Sequence, residues 1–224
     1  MPAGRAFAVT PHITTPVPHV NQTVFVLDDD AATRQSIEEA LVTVELRAET
    51  YANLNDLIDH VSPDRAGCVI IDLHGDATAG VEVQRLLKAR NCHQPVIIVT
   101  GQYDVPTAVL AMREGAIDVL PRPLNAQHLI DDVHRALTTD QTQRKKADGV
   151  QELKRRYAQL TLREQEVMSL VVGGGPNWQV AESLGITERT VKAHRGRVME
   201  KMQAESLVHL IHMARELSLV PTRS

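Results

Sequence analysis

Aromatic residues are scarce in this 224-residue chain: two Phe, three Tyr and one Trp, 3% of the total. Any core must therefore be aliphatic, and 43% hydrophobic residues are enough for one. Cysteine is as rare. Cys68 lies inside an apolar strand-like run and Cys92 in a loop, which argues against a disulfide and fits a cytoplasmic setting. No run of eighteen or more apolar residues occurs, so neither a membrane span nor a membrane partner is expected. The first twenty residues lack the charged and apolar blocks of a secretory signal. Gly173-Gly174-Gly175 lacks the Lys-Ser/Thr that would follow in a phosphate loop, and no strand precedes it, so it reads as a turn.

What the chain does have is an asymmetry of charge. Residues 1–140 hold 10 Lys and Arg against 19 Asp and Glu, whereas residues 141–224 hold 14 against 9. Only the second part has the balance expected of a surface that meets phosphates. Pro2, Pro11, Pro16 and Pro18, without periodicity, make residues 1–21 a flexible extension. Short apolar runs then alternate with amphipathic segments. Strands are predicted at Val24–Leu27, Leu46–Tyr51, Cys68–Ile71, Val96–Val99 and Asp118–Leu120, and helices at Ala32–Val44, Leu54–His60, Val81–Ala89, Thr107–Glu114 and Ala126–Leu137. Five strands alternating with helices predict a parallel sheet covered on both faces over residues 22–139, with its functional crevice at the carboxyl ends of the strands. Thr138–Asp148 is polar, without a strong helical pattern, and reads as a linker. Val150–Leu160 continues as a short helix, giving a linker helix over residues 140–157. Leu162–Val172, Val180–Leu184, Thr190–Met202 and Leu207–Leu217 are helical, with no strand between them, in a second domain over residues 158–224.

The strand ends carry the chemistry. Asp28-Asp29-Asp30 follows the first strand and Asp72 the third; Thr100 ends the fourth, and Arg122 follows the fifth. Carboxylates gathered at one edge repel one another unless a cation or a proton intervenes. Asp28 and Asp29 suit Mg²⁺, which takes few carboxylates plus water and phosphate oxygens. Asp72 is a candidate ligand or nucleophile. Acids after strands also cap helices, but four strand ends acting together favour a site.

Residues 23–138 resemble the receiver domain of two-component response regulators in VFVLDDD, CVIIDL, GVEV, PVIIVTGQYDVPTAV, AMREGAIDVL and PRP. The resemblance implies a flavodoxin-like (βα)5 fold and Mg²⁺ on Asp28, Asp29, Asp72 and the backbone carbonyl of His74. It also implies phosphorylation of Asp72 by a histidine kinase, with Thr100 moving toward the phosphoryl group. Three features depart from the family pattern. Arg122 stands where a Lys is usual, Val119 replaces the aromatic switch residue, and His74-Gly75-Asp76 replaces Met-Pro-Asp.

In the second domain, a helix ending Leu184-Gly185-Ile186, with Thr187 as N-cap of the next, is a helix-turn-helix pattern. Val191, Val198 and Met202 keep one face of the second helix on the core; Arg189, Lys192, Arg195, Gly196, Arg197 and Lys201 stand on the other. The stretch from LTLREQEV to TVKAHRGRVMEKM resembles the LuxR-type four-helix domain of the FixJ subgroup over residues 160–217. That resemblance implies that Lys192, Ala193 and Gly196 approach base edges, while Thr190, His194, Arg195, Arg197 and Lys201 favour the phosphate backbone. It also implies pairing of two copies through Leu207–Leu217. Trp178 stands where a Lys is usual.

The expected function is a non-enzymatic, DNA-binding transcriptional response regulator that dimerises when active. Its partners would be a histidine kinase, promoter DNA and RNA polymerase. An alternative is an atypical receiver that works without phosphorylation as a dimerisation or partner-binding module. A third reading, a Mg²⁺-dependent phosphatase, fails for want of a Thr at Ala32 and of a late acid pair, and leaves the second domain unexplained.

Overall fold

A computed structural model describes residues 21–72, 77–102 and 104–219. Two compact units divide between Gln141 and Thr142.

The first unit is a five-stranded parallel sheet in the order β2-β1-β3-β4-β5. Its strands are β1 Thr23–Asp28, β2 Arg47–Tyr51, β3 Gly67–Asp72, β4 Val96–Thr100 and β5 Ala116–Pro121. Their side chains alternate between faces, as the pleat requires. Phe25, Leu27, Val69, Ile71 and Ile98 enter one core with Leu57, Leu87 and Ala111. Those three come from α2 Leu54–His60, α3 Ala77–Ala89 and α4 Val105–Arg113. Val24, Val26, Cys68, Ile70 and Ile97 enter the other core with Ile37 and Leu41 of α1 Ala31–Val42 and with Leu129, Val133 and Leu137 of α5. Burial on both faces explains why these strands read as unbroken apolar runs. Both cysteines are buried free thiols.

Where β3 begins, Gly67 has φ +150°, and a Cβ there would lie 1.8 Å from the Thr23 carbonyl oxygen; only glycine fits. Its amide donates to the buried Asp140 carboxylate at 2.9 Å, which also accepts from Gln22 Nε2 at 3.2 Å.

The helix predicted at Ala126–Leu137 and the linker helix over residues 140–157 form one element, because α5 runs unbroken from Ala126 to Ala158, 33 residues. Its middle, QTQRKKADGVQELKRR, is rich in straight-chain helix formers but poor in apolar residues. Propensity without amphipathicity leaves no periodic signal. Leu129, Val133 and Leu137 bury against the sheet, while Leu153 belongs to the core of the second unit.

That second unit contains α6 Leu162–Val172, α7 Asn177–Leu184, α8 Glu188–Met202 and α9 Leu207–Glu216. Thr161 and Glu164 form a reciprocal capping box at the start of α6. Gly174, in the glycine triplet, has φ +92° in the turn after α6. Gly185 closes α7 in the left-handed region at φ 64°. Thr187 caps α8, accepting from the Thr190 amide. Among the described residues no helix is long and apolar enough to cross a membrane.

Candidate functional site

The register of the sheet sets Asp28 beside Asp72 at the carboxyl ends of β1 and β3. Both are fully buried. The Arg34 guanidinium donates to the Asp28 carbonyl at 2.6 Å, and the Asp30 amide donates to Asp28 Oδ1 at 2.7 Å. Arg122, just after β5, reaches both acids. Its Nε donates to Asp72 Oδ1 at 3.2 Å. Its Nη2 lies 2.8 Å from the same oxygen and 3.5 Å from Asp28 Oδ2, close enough for ion pairs but not aligned as a hydrogen bond. Burial pushes the Asp28 carboxyl up to about 6; the Asp72 charge adds to the rise, and the Asp30 amide and Arg122 oppose it.

Asp28 Oδ2 and Asp72 Oδ2 are buried without a hydrogen-bond partner. Such oxygens are costly to leave without a hydrogen bond, and hard carboxylate donors are what Mg²⁺ takes. The residues present therefore fit that ion. The cluster is not a three-acid cage: among the described residues no group of three His, Cys, Asp or Glu side chains is placed to hold a metal. Asp29 is exposed. Asp30 is the N-cap of α1, accepting from the Thr33 amide and hydroxyl. His74 lies outside the described residues.

Thr100 is buried at the end of β4, where its hydroxyl exchanges hydrogen bonds of 3.1 Å with the carbonyl and amide of Gln102. Its carbonyl accepts from the Arg122 amide at 2.9 Å, which ties the base of the arginine to β4. Val119 is buried in the core.

On α8, Arg189, Lys192, Ala193, Gly196 and Arg197 are exposed, while Thr190, His194, Arg195 and Lys201 are half-buried. The half-buried polar residues largely serve the fold. Thr190 belongs to the cap, its hydroxyl 2.9 Å from that of Thr187. Arg195 Nη1 donates to Asn177 Oδ1 at 2.6 Å, joining α8 to the first turn of α7. Lys201 Nζ donates to Glu164 Oε2 at 2.6 Å and to the Gln159 carbonyl at 3.2 Å. Glu164 was readable as a capping residue from Thr161-Leu162-Arg163-Glu164, but its pairing with Lys201 was not. Trp178, where a Lys is usual, is 59% exposed.

Comparison with known proteins agrees with both halves of this description. Residues 24–134 match the response regulator receiver domain family, and residues 158–214 match the bacterial regulatory proteins of the luxR family. Nodulation protein W of Bradyrhizobium diazoefficiens is 38% identical over 196 residues, which cover 88% of this chain and 86% of that protein. The chain belongs to the LuxR/FixJ family of two-component response regulators.

The transcriptional regulatory protein FixJ of Azorhizobium caulinodans, another relative in this family, is 36% identical over 198 residues, 88% of this chain and 94% of that protein. Among solved structures, the response regulator StyR matches with a TM-score of 0.77 at 34% identity, covering 88% of this chain and 99% of that one. A LuxR/FixJ response regulator has a receiver and a DNA-binding unit, and both are present here.

Proposed function

We propose that this response regulator is a transcriptional switch in which Asp72 accepts a phosphoryl group from a histidine kinase. In that transfer the N–P bond of the donor phosphohistidine breaks, a carboxylate O–P bond forms on Asp72, and the imidazole leaves. The observation that carries the reading is the convergence of Asp28, Asp72 and Arg122 at one sheet edge, with one buried oxygen on each carboxylate lacking a hydrogen bond. Asp28 and Asp72, with Asp29 and the backbone carbonyl of His74, would hold Mg²⁺. When bound, that ion offsets the roughly −1.5 to −2 charge that phosphorylation adds. Arg122 lies within reach of an anion on Asp72. The Thr100 hydroxyl would exchange its turn around Gln102 for a phosphoryl oxygen, and the backbone bond between Thr100 and Arg122 couples the two strand ends.

The output is promoter binding by α8, followed by contact with RNA polymerase in the cytoplasm. The exposed Lys192, Ala193, Gly196 and Arg197 support this, with Lys192, Ala193 and Gly196 nearest base edges and Arg189 and Arg197 toward phosphates. Self-association on activation is supported by two exposed apolar stripes: Val105, Val109 and Met112 on α4, and Leu207 and Val208 on α9. No reaction is turned over by the chain beyond its own phosphoryl transfer.

A second reading, control of DNA binding without phosphorylation, is favoured by Arg122, whose charge offsets one of the two acids without a metal. One experiment separates the two. The full chain is incubated with acetyl phosphate and MgCl2 and weighed intact. A phosphoryl mass gain that Asp72→Ala abolishes supports the first reading, and its absence from the unaltered chain supports the second.

A further inference from the structure

We infer that Arg122 is a resident counter-ion that competes with the divalent cation for Asp72 and Asp28, so that metal binds against an ion pair supplied by the chain itself. This rests on the reading above for the identity of the cation. The geometry is that of a charge already answered. Two fully buried carboxylates stand side by side in register, and one edge of a single guanidinium serves both. Nε and Nη2 lie 3.2 and 2.8 Å from Asp72 Oδ1, and Nη2 lies 3.5 Å from Asp28 Oδ2.

Three features keep that cation in place. The guanidinium cannot lose its proton in a protein. Its planar fork addresses one carboxylate oxygen with two nitrogens, whereas an ammonium is a point charge on a flexible stem. Its backbone lies between Pro121 and Pro123 and is bonded to the Thr100 carbonyl at 2.9 Å, so the base of the side chain has little freedom. A second cation arriving at the same carboxylates meets a like charge a few ångströms away, or must displace it and break its contacts. Either route couples metal binding unfavourably to arginine docking, and the coupling is reciprocal. An arginine that merely anchored the loop and swung aside at no cost would leave metal affinity indifferent to its replacement.

The test is a calorimetric MgCl2 titration of the full chain as wild type, Arg122→Gln and Arg122→Lys, with Asp72→Asn as the non-binding control and circular dichroism to verify folding. Arg122→Gln is expected to bind Mg²⁺ at least about fivefold more tightly than wild type, and Arg122→Lys to move in the same direction. Saturating MgCl2 should also raise the melting temperature of Arg122→Gln more than that of wild type. Equal or weaker affinity in the variants overturns the inference, as does failure of every chain to bind. If Arg122→Gln does not fold, the lysine variant decides: tighter binding supports competition, and equal or weaker binding ends it. Intact-mass phosphorylation separates the two claims. A mass gain alongside equal Mg²⁺ affinities leaves the phosphoacceptor reading standing and removes this one.

Discussion

Lys201 Nζ on α8 lies 2.6 Å from Oε2 of Glu164, a carboxylate buried in the first turn of α6. The same oxygen accepts from the Thr161 amide at 2.9 Å, so one side chain closes the α6 cap and fixes the far end of α8. The Lys201 ammonium and the Thr161 amide hold the Glu164 carboxyl down at about 2. Unfolded Glu titrates near ~4.3, so the stabilisation is fully present above that pH and is lost as pH falls through about 2.

Lys201→Met is therefore expected to weaken the helical unit by about 1–3 kcal/mol, because Glu164 stays buried without its cation. Trp178, the only tryptophan, lies in this unit and reports its urea unfolding separately. DNA binding by the variant, measured under folded conditions, should keep the wild-type dependence on salt. A fall in the slope of about one unit would show that the ammonium leaves Glu164 for a phosphate.

Gly196 yields a sharper contrast. Nothing lies within 4 Å of the place a Cβ would occupy there, and the residue sits mid-helix on the exposed face of α8, where glycine costs about 1 kcal/mol. No contact within the domain explains a glycine at that point; the proposed approach of α8 to DNA would. Gly196→Leu is expected to raise the stability of the helical unit by about 0.5–1 kcal/mol while lowering promoter affinity at least about tenfold. Arg197→Ala, by comparison, should weaken binding across sequences and lower the salt slope by about one unit. Fluorescence anisotropy at several salt concentrations measures both. Unchanged affinity in Gly196→Leu would mean that this face does not enter a groove.

Asp28 sets a pH dependence of opposite sign to that of Glu164. Its carboxyl is raised from 3.8 to about 6 by burial first and by the neighbouring Asp72 charge. Between those values the folded chain holds a proton that the unfolded chain has released, so this residue's contribution to stability falls as pH rises from about 4 to about 6. Asp28→Asn keeps an oxygen for the Asp30 amide and removes the buried charge. In metal-free buffer it is expected to be more stable than wild type at pH 7.5, by an amount on the order of 1–3 kcal/mol in urea unfolding, with the difference vanishing near pH 4. A constant difference across that range would place the raised carboxyl elsewhere.

Much of this was legible from residue pattern because the elements concerned are strongly specified. β1, β3 and β4 are apolar runs buried on both faces, and Asp28, Asp72, Thr100 and Arg122 follow from where those runs and β5 stop. Thr187 and Gly185 announced the boundary of α8 through capping chemistry alone. Pairings across long separations were not legible. Nothing near Lys201 in sequence points to Glu164, nothing near Arg195 to Asn177, and nothing near Asp140 to Gly67. These contacts exist only once helix packing is fixed, so the pattern of α8 shows its cations without showing that Arg195 and Lys201 also bond to α7 and α6.

The middle of α5 gave no periodic signal either, and it can be tested at one residue. Gly149 is exposed within the 33-residue helix, with nothing within 4 Å of the position a Cβ would take on its backbone. If the helix is continuous there, Gly149→Ala loses no contact and removes unfolded-state entropy, giving about 0.5–1 kcal/mol of stabilisation. Gly149→Pro would delete a helical hydrogen bond and clash with the preceding turn, at a cost of about 3 kcal/mol. Helix content by circular dichroism should rise slightly in the first variant and fall in the second, with a matching order of melting temperatures. A non-helical segment at this position would instead tolerate proline with little change in either quantity, so the ordering of the two variants decides whether the helix passes through residue 149.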